Sequence, residues 1–349
     1  MKRRIELDFI RGIAILLVIH FHFSSKNVFL FPLPGLHLFN FGWAGVDLFF
    51  VLSGFLVGGL LCREWDETGR VDAGRFLRRR AFKIWPGYYA LIAAYVITRK
   101  QPLGTFFWAN VLNVQNYLGT SIAHTWSLAI EEHFYLIFTF AIAWCASRHV
   151  EPRKLMLGAG AVAIGVLVYR TFLALEGHGY FYQTHTRIDA LLIGVMLAAL
   201  LQFHRQRFVE LQAKTTLWAS ILTGAVIVLL LSREFNTNGA QVIAADLGSV
   251  AFLMLMNKPA QRHSGIYRVV ARIGTYSYGI YLWHNAVSAP VGSLAERIGF
   301  PFLAYPLRVV TAILLGVIMT KLIEFPFLRL REKLVPAAGK PLAAMVQVA

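Results

Sequence analysis

Stretches of about twenty mostly apolar residues, separated by short segments rich in arginine and lysine, recur along the whole of this 349-residue chain. A membrane-crossing helix needs ~20 such residues, and inside a bilayer only a helix or a closed barrel satisfies its own backbone. With 57% hydrophobic and 15% charged residues, the composition is far from that of an ordinary soluble chain. The expected fold is all-α: a polytopic membrane protein with about 10 transmembrane helices in one bundle. The spans fall near 8–24, 42–62, 84–98, 122–146, 155–175, 186–203, 215–231, 240–256, 273–293 and 304–323. The basic start runs into the first apolar stretch with no small-residue cleavage site, so that stretch is expected to remain as a span.

A net charge of +16 raises the question of nucleic acid, but its distribution answers it. With the N-terminus inside, the inner segments 1–7, 63–83, 147–154, 204–214, 257–272 and the tail with Lys321 hold 25 of the 34 Lys and Arg residues. The outer side holds Lys26, Arg99, Lys100, Arg187, Arg233, Arg297 and Arg308. That asymmetry is the positive-inside pattern, so both termini are expected to be cytoplasmic, in a multi-pass protein of the plasma (inner) membrane. The charge then reports topology and an affinity for anionic ligands on the cytoplasmic face, not a nucleic-acid partner. Cys62 and Cys145, near inner span ends, read as small core residues, neither a disulfide framework nor a metal site. No linker or repeat divides the chain: 1–330 reads as one membrane domain and 331–349 as a short cytoplasmic tail. The segment 99–121, with Phe106, Phe107 and Trp108, is expected to be re-entrant or an extra short helix.

Ionisable groups inside a span are costly, so each one raises a functional question. Arg11 and His22 lie eleven residues apart in the first span, roughly 16 Å of helical rise. Eleven steps of ~100° bring both side chains to within ~20° of one face, whereas His20 points the opposite way. The plain alternative is that Arg11 snorkels to the interface and His22 satisfies a backbone carbonyl. The run Arg78-Arg79-Arg80-Ala81-Phe82-Lys83 before Pro86 suits phosphate oxygens, or else sets topology beside anionic lipid headgroups. On a helix one of Arg79 and Arg80 shares a face with Lys83. Trp126-Ser127-Leu128-Ala129-Ile130-Glu131-Glu132 opens the fourth span, with Ser127 and Glu131 as i, i+4 partners. Asp47, Arg187, Asp189, Tyr281 and His284 add polar groups at further helix ends, each also explicable as interface or aromatic-belt material.

Taken in order, these segments resemble the acyltransferase-3 family of integral membrane acyltransferases, which mostly acylate sugars and related hydroxyl compounds. The resemblance runs from Leu7 to about Leu330. It rests on Leu7-Asp8-Phe9-Ile10-Arg11-Gly12 leading to His22, and on Gly45-Val46-Asp47-Leu48-Phe49-Phe50-Val51-Leu52-Ser53-Gly54-Phe55. The basic segment before Pro86, residues 126–132, Tyr278-Gly279-Ile280-Tyr281-Leu282-Trp283-His284 and Glu324-Phe325-Pro326 follow in family order. The family's arginine–histidine motif falls on Arg11 and His22, implying His22 as catalytic base. Its basic motif falls on Arg79, Arg80 and Lys83, where Lys83 departs from the usual arginine. The glutamate of the Trp-Ser-Leu motif falls on Glu131. Some relatives carry a hydrolase-like domain after the membrane part; this chain shows none, so acceptor recognition is expected from the membrane domain or a separate protein.

The resemblance implies an acyl-coenzyme A-dependent O-acyltransferase, with acetyl the expected acyl group, acting on a carbohydrate or glycoconjugate hydroxyl in contact with membrane lipid. His22 takes the hydroxyl proton; Glu131 orients it or binds sugar hydroxyls; Arg11, Arg79, Arg80 and Lys83 hold the phosphorylated donor. Asp47, Ser127, Arg187, Asp189, Tyr281 and His284 are candidate acceptor-binding residues, and no metal is implied. A cytoplasmic donor and an outside acceptor are reconciled by a pore, by a covalent acyl relay, or by a cytoplasmic acceptor. The competing reading is a transporter or flippase for a lipid-linked sugar, with Arg11 and His22 as its relay.

Overall fold

Helix follows helix along the chain, as the apolar stretches require. The computed structural model describes residues 4–24, 41–99, 104–231, 239–258 and 263–336, and among them there is no strand. The α-helices are α1 (Ile5–Ser24), α2 (Ala44–Thr68), α3 (Ala73–Arg99), α4 (Thr105–Val111), α5 (Gln115–Leu118), α6 (Trp126–Ser147), α7 (Pro152–Leu175) and α8 (Asp189–Phe203). They continue as α9 (Arg205–Ala213), α10 (Thr215–Leu231), α11 (Gly239–Met256), α12 (Gly265–Thr275), α13 (Ser277–Arg297), α14 (Ala304–Met319) and α15 (Phe325–Leu334). Among the described residues, five helical runs are long and apolar enough to cross a membrane: Ala44–Thr68, Ala123–Ser147, Pro152–Leu175, Gly239–Met256 and Ala304–Leu334. The pair α9 and α10, bent by 65°, makes a sixth if it is one span. Helix α8, with 15 residues, is shorter than the ~20 that cross a bilayer unaided. On α7 the apolar side chains turn outward, Leu157, Ile164, Val168 and Leu175 all being exposed. Such a surface suits lipid and not water.

Several boundaries differ from the sequence reading for local reasons. The basic run 75–83 is not a loop but the first turns of α3, which continues through Pro86. Arginine and lysine are good helix formers, and α2 stops only at Gly69, whose φ of 69° gives a left-handed cap with its N–H on the Trp65 carbonyl. The expected span 273–293 is broken at Tyr276. Before the break lies the amphipathic α12, started by Ser264, whose hydroxyl accepts from the Tyr267 N–H. The segment 99–121 contains the short α4 and α5, and a single π-helical turn, Thr320–Glu324, joins α14 to α15. The helix α15 takes the chain past 330 to Leu334; residues 337–349 of the expected tail, together with Lys26, Lys100 and Arg233, lie outside the described residues.

Two close helix contacts place the polar residues. A Cβ on Gly54 of α2 would lie 1.9 Å from the Leu191 carbonyl oxygen of α8, and one on Gly194 would lie 2.1 Å from that of Val51. Likewise a Cβ on Gly12 of α1 would meet the Val270 carbonyl at 2.2 Å, and one on Gly274 the Asp8 carbonyl at 1.8 Å. Small residues let backbones approach where lipid provides no hydrophobic drive for helix association. The first contact seats α2 on α8; the second seats α1, the helix of Arg11 and His22, on α12.

Candidate active site

Helix α1 runs with Arg11 near one end and His22 at the other, and the two ends meet different environments. Around Arg11, the helices α1, α2, α3, α6, α12, α13 and the turn Thr320–Glu324 line a cavity with room for water in about 120 Å³. Its polar walls are Arg11, Ser53, Arg80, Lys83, Ser127, Glu131, Tyr135, Tyr278, Tyr281 and Glu324; Val46, Phe49, Phe50 and Leu128 supply apolar surface. Beside it opens a vestibule of about 490 Å³, lined among the described residues by Arg11, Arg63, Arg75, Arg79, Arg80, Lys83 and Arg331 with Glu64 and Glu67. Arg11, Arg80 and Lys83 line both spaces, so they stand where one leads into the other. One sign of charge concentrated between low-dielectric walls focuses the field and gathers anions.

The cations are held in place by individual contacts. Arg11 lies 3.4 Å from Asp8, Arg75 2.6 Å from Glu64, Arg79 2.7 Å from Glu332, and Lys83 3.5 Å from Glu324. Arg79 also donates to the Val335 carbonyl. Arg80 stacks over the Tyr135 ring at 4.9 Å and the Phe76 ring at 5.5 Å, leaving its donors turned to the two spaces. Arg80 and Lys83 are the pair that share the inner cavity, while Arg79 reaches the vestibule alone. Glu131, one helical turn beyond Ser127, lies in the cavity against Ser53, Tyr135 and Arg80.

At the far end of α1, three imidazoles converge. The His22 and His284 ring centroids are 4.8 Å apart, His124 and His284 4.9 Å, and His22 and His124 6.4 Å. A carbonyl only accepts, so each backbone contact fixes a tautomer. His22 Nδ1–H donates to Val18 O at 2.9 Å, and His284 Nδ1–H to Tyr281 O at 2.7 Å. Both rings, when neutral, therefore carry the lone pair on Nε2. His124 is the reverse: Nε2–H donates to Leu282 O at 3.1 Å, and Nδ1 accepts from the Asn285 amide at 3.0 Å. His20 faces away from this cluster, against the Tyr305 hydroxyl at 2.5 Å, as its helix position dictates.

A hydrogen-bonded pair stands between the cavity and the imidazoles. Tyr281 Oη–H donates to the His124 carbonyl at 2.5 Å, so the Ser127 hydroxyl is the donor in its 2.6 Å contact with Tyr281. Both side chains line the cavity on one side, and the Tyr281 ring touches that of His124 at 5.7 Å on the other. Asp47, Arg187 and Asp189 line neither space. Arg187 grips Asp47 at 2.5 Å, while Arg170 bridges Asp189 at 2.8 Å and Asp246 at 3.3 Å, all essentially without solvent exposure. Among the described residues, no group of three or more His, Cys, Asp or Glu is arranged to hold a metal ion.

Sequence reasoning missed His124, Asn285, Ser53, Tyr135 and the vestibule arginines 63, 75 and 331. Tyr135 was within reach, four residues beyond Glu131 on the same helical face. His124 gave a weaker signal, lying three residues before Ser127.

A family model described as "Acyltransferase domain" (acyltransferase-3) matches residues 4–321. Peptidoglycan O-acetyltransferase OatA of Listeria monocytogenes is 30% identical over 81% of this chain and 49% of its own length. O-acetyltransferase OatA of Staphylococcus aureus strain NCTC 8325 is 24% identical over 92% of this chain and 56% of its own. The chain spans about half the length of the curated relatives it matches. No solved structure matches it.

Proposed function

The chain belongs to the acyltransferase-3 family, and from that premise we propose that it is a multi-pass plasma-membrane enzyme moving an acetyl group from acetyl-coenzyme A to a cell-wall carbohydrate hydroxyl. The carbohydrate class is carried over from the relatives, whose names make them O-acetyltransferases, one of them of peptidoglycan. In this reading about ten spans cross the bilayer with both termini cytoplasmic, residues 1–330 forming the enzyme and 331–349 a tail. The observation that carries it is the order of the site: a basic vestibule, a cavity sharing Arg11, Arg80 and Lys83 with it, the Ser127–Tyr281 pair, and against the Tyr281 ring the imidazoles of His124 and His284, with His22 beyond them.

Arg79, with Arg63, Arg75 and Arg331, meets the nucleotide phosphates of the donor in the vestibule. Arg11, Arg80 and Lys83, which line both spaces, hold the donor's innermost phosphate at their junction, so that the uncharged pantetheine arm extends inward and the thioester reaches the Ser127–Tyr281 pair. The acceptor comes from the His22 end. His22 Nε2 takes the hydroxyl proton as the oxygen attacks the thioester carbonyl; the carbon–sulfur bond then breaks, and the departing thiolate takes that proton back. Glu131, which lines the cavity against Ser53 and Arg80, acts at the thioester end of the site. Tyr281 and Ser127, their hydroxyl protons held by the His124 carbonyl and by Tyr281, form the wall against which the acceptor and the reacting carbonyl meet. Asp47, Arg187 and Asp189 fix the neighbouring helices through buried ion pairs.

Purified protein incubated with acetyl-coenzyme A and soluble peptidoglycan fragments should release free thiol and form an alkali-labile ester. His22→Ala should lower turnover by about 10²–10⁴, the usual range for a general base. Wild-type turnover in that variant overturns the role of His22. Translocation of a lipid-linked sugar without thiol release favours the transporter instead.

A further inference from the structure

Away from the cavity, a closed group of buried charges does not balance. Asp47 of α2, Asp189 of α8 and Asp246 of α11 meet Arg170 of α7 and Arg187 from the turn before α8, with every side chain at most 5% exposed. Three carboxylates against two guanidiniums leave one negative charge in a low-dielectric interior. An uncompensated charge is costly there, and a carboxyl takes up a proton instead. Among the described residues no third cation faces the group. Asp47 and Asp246 each face the other, Asp189 and the two arginines. Tyr180 faces the arginines, and the Trp126 ring of α6 lies against Arg187. Residues 14–18 of α1, packed on Gly45, and the whole of α10, packed on Gly248, hold no titratable side chain.

The oxygens locate the proton. Arg187 takes Asp47 Oδ1 at 2.5 Å, and Arg170 takes Asp246 Oδ2 at 3.3 Å. Asp47 Oδ2 and Asp246 Oδ1 are buried and receive no donor from any other group, although the two carboxyls lie within hydrogen-bonding reach of each other. Ionised carboxylates only accept, so this contact is repulsive until one of the two is protonated. Asp246 has the weaker hold on a cation, because Arg170 sits closer to Asp189, at 2.8 Å.

We propose that this cluster is a binding site for one proton, carried by Asp246 and donated as a hydrogen bond to Asp47. With it the group holds two positive and two negative charges, and the two bare oxygens satisfy each other. Carboxyls already in reach leave no place for a bridging water, and a metal cation would meet two guanidiniums. The consequence is mechanical. The cluster ties α2 to α7, α8 and α11, and α2 supplies Val46, Phe49 and Phe50 to the cavity wall. These helices close with the proton in place, whatever reaction the cavity carries out. Folding then binds a proton that an aspartate in the unfolded chain, titrating near ~4, has released.

Two measurements test the site, and neither needs turnover. In protein labelled with carbon-13 at its aspartate carboxyls, one signal should stand at the protonated position and stay there from about pH 5 to 7. That signal should vanish in Asp246→Asn and in Asp47→Asn, since each leaves two carboxylates against two guanidiniums. Ionised aspartates throughout wild-type protein, or a protonated signal that survives both substitutions, overturns the proposal. The second measurement is linkage, read by chemical denaturation in mixed micelles. Wild-type protein binds one more proton folded than unfolded, so its stability falls as pH rises; Asp246→Asn lacks that proton in both states. Between about pH 5 and 7 the wild-type folding constant should therefore fall about tenfold per pH unit relative to that of the variant. Parallel pH profiles overturn the proposal. If Asp246→Asn does not fold, labelled wild-type protein and Asp47→Asn still decide.

Discussion

Removing Arg187 should damage the protein more than removing Asp47, although each is the other's partner. The pair is 2.5 Å apart with side chains 1% and 0% exposed. Breaking a buried ion pair from one side typically costs ~3–5 kcal/mol, because the remaining charge is left in low dielectric. The surroundings here make the two sides unequal. Asp47, Asp189 and Asp246 together face only two guanidiniums, Arg187 and Arg170. Arg187→Met leaves three carboxylates around one cation, so its cost belongs at the upper end, ~5 kcal/mol. Asp47→Asn leaves two against two and keeps an acceptor oxygen for Arg187, whose cation also rests on Phe181 at 4.7 Å. Its cost should stay at or below ~3 kcal/mol. The double variant Asp47→Leu with Arg187→Met removes both charges and should be more stable than Arg187→Met alone by ~2 kcal/mol or more. Chemical denaturation of purified protein in mixed micelles, followed by near-ultraviolet circular dichroism, measures all three. Equal costs for the two single variants, or strict additivity in the double, would refute the charge count.

Ala at Gly54 or at Gly194 should each cost ~1–3 kcal/mol, since both crowd one contact between α2 and α8. Ala at Gly158 or Gly165, which meets nothing within 4 Å, should be neutral or slightly stabilising in the same assay. Arg80→Gln should raise KM for acetyl-coenzyme A about tenfold or more, by loss of a charge-assisted phosphate contact. That difference from wild type should shrink as salt is added; no salt dependence would remove Arg80 from donor binding. Tyr281→Phe leaves the buried Ser127 hydroxyl without its acceptor and should cost ~1–3 kcal/mol of stability. A neutral result would mean that the Ser127–Tyr281 pair is not the partition between the two spaces.

The features that were legible in the sequence are those set by local chemistry. Helical periodicity alone put His22 and Arg11 on one side of α1 and His20 on the other, and His20 does meet Tyr305 away from the cluster. It also paired Ser127 with Glu131 along α6, both of which line the cavity. The order of motifs, read as a resemblance, agrees with the family match over residues 4–321. Boundaries were read less well where charge and helix propensity disagree: arginine-rich residues 75–83 look like a loop by hydropathy and fold as helix.

Composition and periodicity thus determined the class of the molecule, the faces of its helices and the basic character of one end. Which face meets which was decided only in three dimensions. His22, His124 and His284 come from α1, the turn before α6, and α13, and no local rule brings them together. That Asp47 is half of an ion pair shows only where the turn before α8 lays Arg187 beside it. The physical reason is one of range. Backbone hydrogen bonding and residue propensity act over one or two helical turns, whereas the site forms where glycine-lined helices close on one another. Its tautomers are fixed by the carbonyls that this closure happens to present.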